Sequence, residues 1–435
     1  MDQDEAEVKL ILNKKESDGC RNPTLSVLHR AGKLLTMITI CGIICLWDGN
    51  CKTFANTKLE LEREDFTEIA PGTLIYSVYY VSSETPNLRI IAISETSRQP
   101  KLFCHSVCGD LEIQEAKFHL ISSGHSHKNE THAAFIVSCE LPSRRKRHPR
   151  WVSLSAEYDK KRSQIITFPV ISTENDLLIN NEYAVCIPPV FGNEITPTNF
   201  IEFIEMNHIF GAKKFFIYNL TMNNELSNVV NIYCIRDVVI VMPWNLPNYL
   251  NDLHALHYHG QLVSVEDCLY RNKGSTKWLG FYDLDEFLVP LNQPTITSLL
   301  RNIYRHDASG YCIQMVLFPK DDVFTLKDFK NGSLLVTQQF FFRTNNVFPK
   351  TRRSKCIVDP QKVFEMGIHY INNPTYAYYI ETWVNTSHVL VFHYRQCVRF
   401  PDLTEACKSL KEERLMLKYK SKLIQRVNHM FKIIT

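Results

Sequence analysis

The chain has 435 residues, more than one ordinary domain holds, so two folded domains with real cores are expected. Hydrophobic residues make up 45% and charged residues 22%, which excludes a disordered or collagenous chain. A formal net charge of +3 at this length supplies no broad basic stripe and argues against a nucleic-acid partner.

Residues 1–33 are polar, mixed in charge and without a helical apolar stripe, and read as a flexible cytosolic tail. Leu34–Trp47 follows, fourteen residues without a charge. A spanning helix needs about 20 apolar residues, so a buried helix or a signal-peptide core is one reading. The flanks favour a transmembrane signal-anchor over 34–47: His29, Arg30 and Lys33 precede it and Asp48 follows, the pattern of an N-in segment. A leader of this length is long for a cleaved signal peptide, with cleavage near Ala55 as the alternative. Both readings place everything after Cys51 in a lumen or outside the cell. Residues 48–72 carry Glu60, Glu62, Glu64, Asp65 and Glu68 among few apolar anchors, which reads as a solvated stem.

Residues 73–175 change to short runs rich in β-branched and aromatic side chains, such as Leu74–Val81, Arg89–Ile93 and Ala133–Val137. These predict a smaller, β-rich domain. Within it, Arg144–Arg147 reads as a solvated loop and also fits a dibasic processing site. His125, His127 and His132 lie in a polar stretch and read as surface residues.

From 180 to 435 strands alternate with helices. Ala184–Val190 is a strand followed by the loop Phe191–Glu194. Thr196 caps a helix opening at Pro197, with Phe200, Phe203 and Ile204 on its inner face and Gly211 at its end. Phe215–Leu220, Val238–Pro243 and Lys277–Tyr282 are further strands, with helices over Glu225–Ile235 and Leu250–Tyr270. The alternation implies an α/β domain with a mostly parallel sheet, in which ligands collect at the carboxyl ends of strands. His254, His257 and His259 lack the H-E-x-x-H spacing and have no acid between them, so they read as packing or surface histidines. Phe340–Phe342 and Tyr376–Tyr379 read as core or edge strand rather than as sugar platforms.

Fourteen cysteines are dispersed, eleven of them from Cys51 onward, with no C-x-x-C pair and no zinc-finger cluster. This suits disulfides in an oxidising compartment, and the odd number leaves Cys51 as the candidate for a free thiol or a link between chains. Asn129, Asn219, Asn331 and Asn385 head N-x-[ST] sequons and are candidate glycosylation sites of the same compartment.

The chemistry concentrates in Lys277–Pro290. An apolar run ends at Asp283-Leu284-Asp285-Glu286. Alternation along a strand end puts Asp283 and Asp285 on one side, with Leu284 toward the core. Two carboxylates so placed can share a hard divalent cation that neutralises a diphosphate. A solvated acidic turn is the bland alternative, but three acids in four residues between apolar flanks repel one another unless a cation compensates them. The glycine and alternating oxygen ligands of an EF-hand are missing.

At these residues the chain resembles glycosyltransferase family 92, over about 183–397. The matching stretches are Cys186–Glu194, Phe200–Glu205, Phe215–Tyr218, Gln261, Asp267-Cys268, Asp283–Phe287, Lys355–Val358 with Pro360, and His393-Tyr394-Arg395. The resemblance implies a single-pass type II Golgi membrane protein whose 180–435 domain is GT-A-like. It also implies manganese dependence, inversion, and transfer of galactose from UDP to a glycan or glycoprotein acceptor such as a fucosylated N-glycan core. Asp283 and Asp285 would hold the metal, joined by His393, with His369 as runner-up. Imidazole and carboxylate together suit manganese. Glu286 joins the catalytic set, and Asn193, Glu194 and Lys355 are candidates for the donor, with Arg352 and Arg353 able to pair with phosphates. Inversion needs one general base, for which Asp322, Glu365 and Glu381 are all eligible. A lumenal lectin or scaffold that keeps the fold without turnover is the competing reading, and a hydrolase of nucleotide sugars a third.

Overall fold

The computed structural model describes residues 65–82, 86–106, 113–122, 130–141, 149–158, 165–174, 181–252, 254–320, 335–397 and 401–434. The anchor segment 34–47, Cys51, the basic run 144–147, Asp322 and the sequons Asn129 and Asn331 lie outside the described residues. No helix of the described residues is long and apolar enough to cross a membrane. The chain divides into two compact units, one joining 242–275 to the β-rich region and the other holding 179–241 with 276–435. The sequence pattern runs a single domain from 180 to 435, whereas the structure assigns 242–275 to the β-rich unit.

That unit is built on three long antiparallel strands, β1 (Thr73–Val81), β2 (Asn87–Glu95) and β3 (His132–Glu140). Thr67–Ala70, inside the stretch expected to be stem, pairs with β1 as an edge strand. A second antiparallel sheet uses Ile113–Glu115, Phe103–Ser106, Trp151–Ser155 and Ile166–Pro169. Alternating residues from both sheets, among them Val78, Ile90, Val137, Leu154 and Phe168, form one core. Cys104 and Cys139 close a disulfide. The helix Gln261–Arg271 belongs to this unit. Tyr79 donates to the Asp267 carboxylate at 2.5 Å, and Arg271 grips that same carboxylate at 3.1 Å. Asp267 is therefore a buried structural tie.

The long helix expected over Leu250–Tyr270 is broken. Short 3-10 turns at Asn248–Leu250 and His257–His259 precede the α-helix. Tyr258, His259 and Gly260 are all left-handed, at φ 39°, 54° and 82°. No right-handed helix passes through three such residues.

The second unit carries a seven-stranded sheet. Its strands, in chain order, are β4 (Asn181–Val190), β5 (Lys214–Asn219), β6 (Val239–Pro243), β7 (Thr276–Phe281), then β9 (Ala308–Ile313), β11 (Lys355–Val358) and β12 (Ile380–Trp383). Across the sheet the order is β6-β5-β4-β7-β11-β9-β12. β4 runs parallel to β5 and β7, and β9 runs parallel to β12, but β11 is antiparallel to both β7 and β9. The sheet is mixed: β4–β5, β4–β7 and β9–β12 are parallel as expected, the antiparallel pairings come from β11, and the described residues are strand-rich. Helix α1 (Pro197–Phe210) follows β4 as its caps dictate. Thr196 accepts from the Asn199 N–H, and Gly211 turns left-handed at φ 108°. Phe200 and Phe203, both buried, each contribute roughly 1.5–3 kcal/mol by leaving water. A three-stranded sheet completes the site's frame: β8 (Glu286–Pro290), antiparallel to β13 (Val389–Arg395), which is parallel to β10 (Met315–Pro319).

Candidate active site

β4 and β7 are parallel, so Val190 and Phe281 finish at the same end of the sheet. β11 begins there, with Cys356 opposite Phe281, and β9 ends there, with Ile313 opposite Lys355. At this end the chain leaves β7, turns through Tyr282–Asp285 and enters β8. Asp283 and Asp285 thus sit on a tight turn, in which Glu286 N–H donates to the Asp283 carbonyl at 3.1 Å, rather than on an extended strand end. Leu284 packs toward the core as expected.

The turn is anchored from below. Tyr282 is fully buried, its hydroxyl 2.9 Å from that of Tyr183 and donating to Asn207 at 2.7 Å. Gly280 makes room for that ring, since a Cβ there would lie 2.7 Å from Tyr282 Cε1. From the side, Tyr394 N–H donates to the Asp285 carbonyl at 2.9 Å. Register then places Glu286 directly opposite His393.

The acids divide by exposure. The side chains of Asp283 and Asp285 are 34% and 36% exposed, whereas Glu286 is 2% exposed. Glu286 Oε2 accepts from the Asp283 N–H at 2.9 Å and lies 3.1 Å from the Lys355 ammonium. Lys355, itself buried, also donates to Asp283 at 3.0 Å. His393 Nε2 is 3.3 Å from Asp285, and its Nδ1 is 3.5 Å from Glu286. Glu286 is therefore a buried hub behind the two aspartates, facing an ammonium on one side and an imidazole on the other.

Electrostatics follow this division. Burial acts to raise Asp285, but the His393 imidazole, with Arg395 and Lys320 beyond it, holds that carboxyl down to about 2. Burial pushes Glu286 up, with Lys355 opposing. Lys355 and His393 both gain protons against burial, because Asp283 with Glu286 and Asp285 with Glu286 respectively attract the cation. Lys320 and Arg395 are the site residues that sequence reasoning missed. Arg395 was visible only as the end of the His393-Tyr394-Arg395 run, and Lys320 carries no motif.

Asp285 and His393 offer carboxylate and imidazole donors of the kind manganese takes, and the exposure of both aspartates leaves room for an ion. The fit is incomplete in one respect. Asp283, Asp285 and His393 do not all bring a ligand atom within 4.8 Å of one another, a criterion met among the described residues by Cys312, Cys356 and Glu381. Cys312 and Cys356 are joined in a disulfide, so that cluster is no metal site. Asp283 is turned to Lys355, and its ion pair must yield for Asp283 to share a metal with Asp285.

The remaining candidates are dispersed. Asn193 and Glu194 lie in the exposed loop after β4, at the same end of the sheet as the acidic turn. Lys355 is held as a buried counter-ion rather than presented toward a donor. Arg352 and Arg353 precede it in a loop where Thr351 and Arg353 take left-handed conformations, at φ 66° and 57°. His369 binds the Ser354 carbonyl at 3.0 Å. Glu365 is buried and accepts from Asn372 and Asn373, both at 2.6 Å, closing a hairpin. Glu381 accepts from the Ile371 N–H at 2.9 Å. Asn219 caps a turn through Met222 N–H, while Asn385 is exposed.

The family model described as glycosyltransferase family 92 matches residues 181–431. The β-1,4-galactosyltransferase galt-1 of Caenorhabditis elegans is 27% identical over 274 residues, 60% of this chain and 60% of that protein. The galactan β-1,4-galactosyltransferase GALS3 of Arabidopsis thaliana is 27% identical over 159 residues, 35% of this chain and 29% of that protein. A glycosyltransferase family 92 protein of C. elegans is 24% identical over 213 residues, 47% of this chain and 40% of that protein. The chain thus spans less than two thirds of the length of each of these relatives.

Proposed function

This chain belongs to glycosyltransferase family 92, and we propose that it is an inverting, manganese-dependent galactosyltransferase using UDP-galactose and a glycan acceptor. The observation that carries the reading is the half-exposed Asp285 paired with His393, beside Asp283, at the carboxyl end of β7. The names of its galactosyltransferase relatives support the choice of sugar. We propose a GT-A-like role for the mixed sheet, which brings the loop after β4 and the acidic turn to one end.

In this reading Asp285 and His393 would hold the metal, with Asp283 available to it if its ion pair with Lys355 opened. A divalent metal bound there would supply Lewis-acid stabilisation of a leaving diphosphate. Lys320 and Arg395 add positive charge on the Asp285 side, and the basic loop at Arg352 and Arg353 supplies further charge near β11. Glu286 is a positioning residue: it faces His393 Nδ1 and leaves Nε2 toward Asp285, the outer-shell arrangement that fixes a ligand imidazole. Lys355 compensates the acids while no metal is bound. Inversion still requires a carboxylate to take the acceptor hydroxyl's proton. Glu365 and Glu381 are each committed to hairpin contacts, and Asp322, the third eligible carboxylate, lies outside the described residues.

We propose further that the protein is a single-pass type II Golgi protein anchored through 34–47, with this domain in the lumen. The disulfides Cys104–Cys139, Cys312–Cys356 and Cys397–Cys407 support an oxidising compartment. The test is UDP release by the purified protein with a panel of UDP-sugars, an N-glycan acceptor and manganese. Release from UDP-galactose that needs both acceptor and metal is expected, and release without acceptor would mean hydrolysis.

A further inference from the structure

Four of the nine exposed large apolar or aromatic side chains among the described residues lie together: Tyr304, Tyr376, Tyr378 and Ile380. They gather where β9 and β12 begin, since these strands are parallel and Ala308 stands opposite Ile380. The acidic turn lies at the other end of the sheet, where β9 finishes with Ile313 opposite Lys355. The six residues of β9 separate the two ends by about 20 Å at the usual strand rise. The patch therefore touches no reacting sugar, and the proposed chemistry does not use it.

The rings are fixed before any ligand arrives. Tyr379 N–H donates to the Tyr376 carbonyl at 3.0 Å, which closes a turn over 376–379. On one side of the turn Thr375 N–H donates to the Lys362 carbonyl at 2.8 Å. On the other, Ile380 N–H donates to the Asp307 carbonyl at 2.8 Å. The turn so held sets the Tyr376 and Tyr378 rings within 5° of parallel, their centres 5.5 Å apart. Tyr379, half-buried, packs against Tyr378 at 4.4 Å. The Lys362 ammonium joins this group to Tyr304, lying 5.3 Å from the Tyr379 ring and 5.7 Å from the Tyr304 ring. It is pinned there by donating to the His306 carbonyl at 3.0 Å. Rings ordered in advance lose little freedom on binding, which favours a small ligand.

The cations beside the rings do not make an anion site. Lys362 is only 11% exposed and pairs with Asp359 at 3.5 Å, and Arg305 pairs with Asp307 at 2.7 Å. Lys277 reaches only the Tyr304 ring, at 5.9 Å. Area argues against a second copy of the chain. Tyr304, Tyr376, Tyr378 and Ile380 are 43%, 47%, 64% and 42% exposed. At about 200 Å² for a whole aromatic side chain, the four together present roughly 400 Å². A stable protein interface takes about 800 Å² from each partner, twice as much. The patch suits a ligand that meets flat ring faces and phenol hydroxyls over a small area. A pyranose does so, with C–H bonds on one face for the rings and hydroxyls on its rim for the tyrosine oxygens. In the transferase reading, glycans come to this protein as acceptors. We propose that Tyr376 and Tyr378, with Tyr304 beside them, form a platform for the distal part of an extended, neutral glycan acceptor. Only an acceptor several sugars long engages both the platform and the acidic turn. The proposal rests on the glycosyltransferase reading for the source of its glycan.

The test uses the full chain carrying Tyr376→Ala with Tyr378→Ala, and Tyr378→Trp as the conservative control. Both tyrosines are exposed, so melting temperatures are expected to stay within about 2 °C of wild type. Kinetics with UDP-galactose and manganese compare a neutral biantennary N-glycan with its terminal disaccharide. The double variant is expected to raise KM for the long acceptor about tenfold with kcat unchanged, and to leave both constants unchanged for the disaccharide. Tyr378→Trp, which keeps an aromatic face, is expected to retain the wild-type KM. Binding without turnover is read by saturation-transfer NMR on the Asp285→Ala chain, with chelator and no UDP-sugar. There the long glycan is expected to bind about tenfold more weakly once both tyrosines are removed. The proposal is overturned if the long acceptor keeps its KM and its binding in the double variant, or if the disaccharide loses as much as the long acceptor. It is equally overturned if the tyrosines govern self-association in sedimentation instead. Tyrosine-dependent glycan binding by a chain that transfers no sugar would overturn the transferase reading and support the platform. Transfer that ignores the tyrosines would overturn the platform alone.

Discussion

Replacing Lys355 with methionine is predicted to unfold the acidic turn's support. The ammonium lies 3.0 Å from Asp283 and 3.1 Å from Glu286, and only 3% of the side chain is exposed. Asp283 can turn to water once the lysine is gone, since a third of its side chain is exposed. Glu286, 2% exposed, cannot. Removing one member of a buried pair costs about 3–5 kcal/mol, and here leaves Glu286 with only the more distant His393 imidazole, 3.5 Å away. For a unit of this size each kcal/mol shifts the melting temperature by about 2–4 °C, so Lys355→Met should lower it by roughly 6–20 °C. Adding Glu286→Gln removes the stranded charge and should recover more than half of the loss. Urea unfolding of the wild type, both single variants and the double variant forms a cycle, with an expected coupling above about 1 kcal/mol. A loss below about 1 kcal/mol in Lys355→Met, or additive single effects, would refute the counter-ion assignment.

Other outcomes follow from neighbouring features. Burial pushes Glu202 up to about 7, against hydrogen bonds from Val336 N–H and from the Thr337 N–H and hydroxyl. A carboxyl raised above its unfolded value binds its proton more tightly in the native state. Its contribution is therefore full below about pH 4.5 and lost as pH rises toward 7, by roughly 3 kcal/mol at about 1.4 kcal/mol per unit. Glu202→Gln should flatten the stability profile between pH 5 and 7, and an unchanged slope would place the dependence elsewhere. Gly280→Ala should destabilise by about 1–3 kcal/mol through overpacking against Tyr282, read by urea denaturation. Glu286→Gln should weaken manganese binding, read by titration calorimetry, by about 10–100-fold while the protein stays folded. Non-reducing peptide mapping should recover Cys312–Cys356, and reducing it should cost about 2–4 kcal/mol.

The parts of this fold that were legible are those coded by neighbours in sequence. Thr196, Pro197 and Gly211 each perform a cap by their own chemistry, so α1 could be bounded from residues alone. The strands Lys214–Asn219 and Thr276–Phe281 were equally legible from uninterrupted apolar runs. The antiparallel insertion of β11 was not, because its register with β7 and β9 is a pairing across distant sequence. The break at 258–260 was hidden because tyrosine and histidine do not advertise a left-handed backbone. At the site, three acids in four residues pointed to a charge cluster. Which acid is buried depends on the Glu286–His393 register and on Lys355, contributed by other strands. Tyr376 and Tyr378, read as core or edge strand, are in fact exposed and stacked at 5.5 Å.

The most direct test of the central claim compares UDP release by the wild-type protein and Asp285→Ala, with UDP-galactose, an N-glycan acceptor, and manganese present or chelated. Under the metal-dependent transferase reading, acceptor-dependent release is expected to need manganese and to fall by at least a hundredfold in a variant that remains folded. Release that survives chelation and the Asp285 substitution would contradict it.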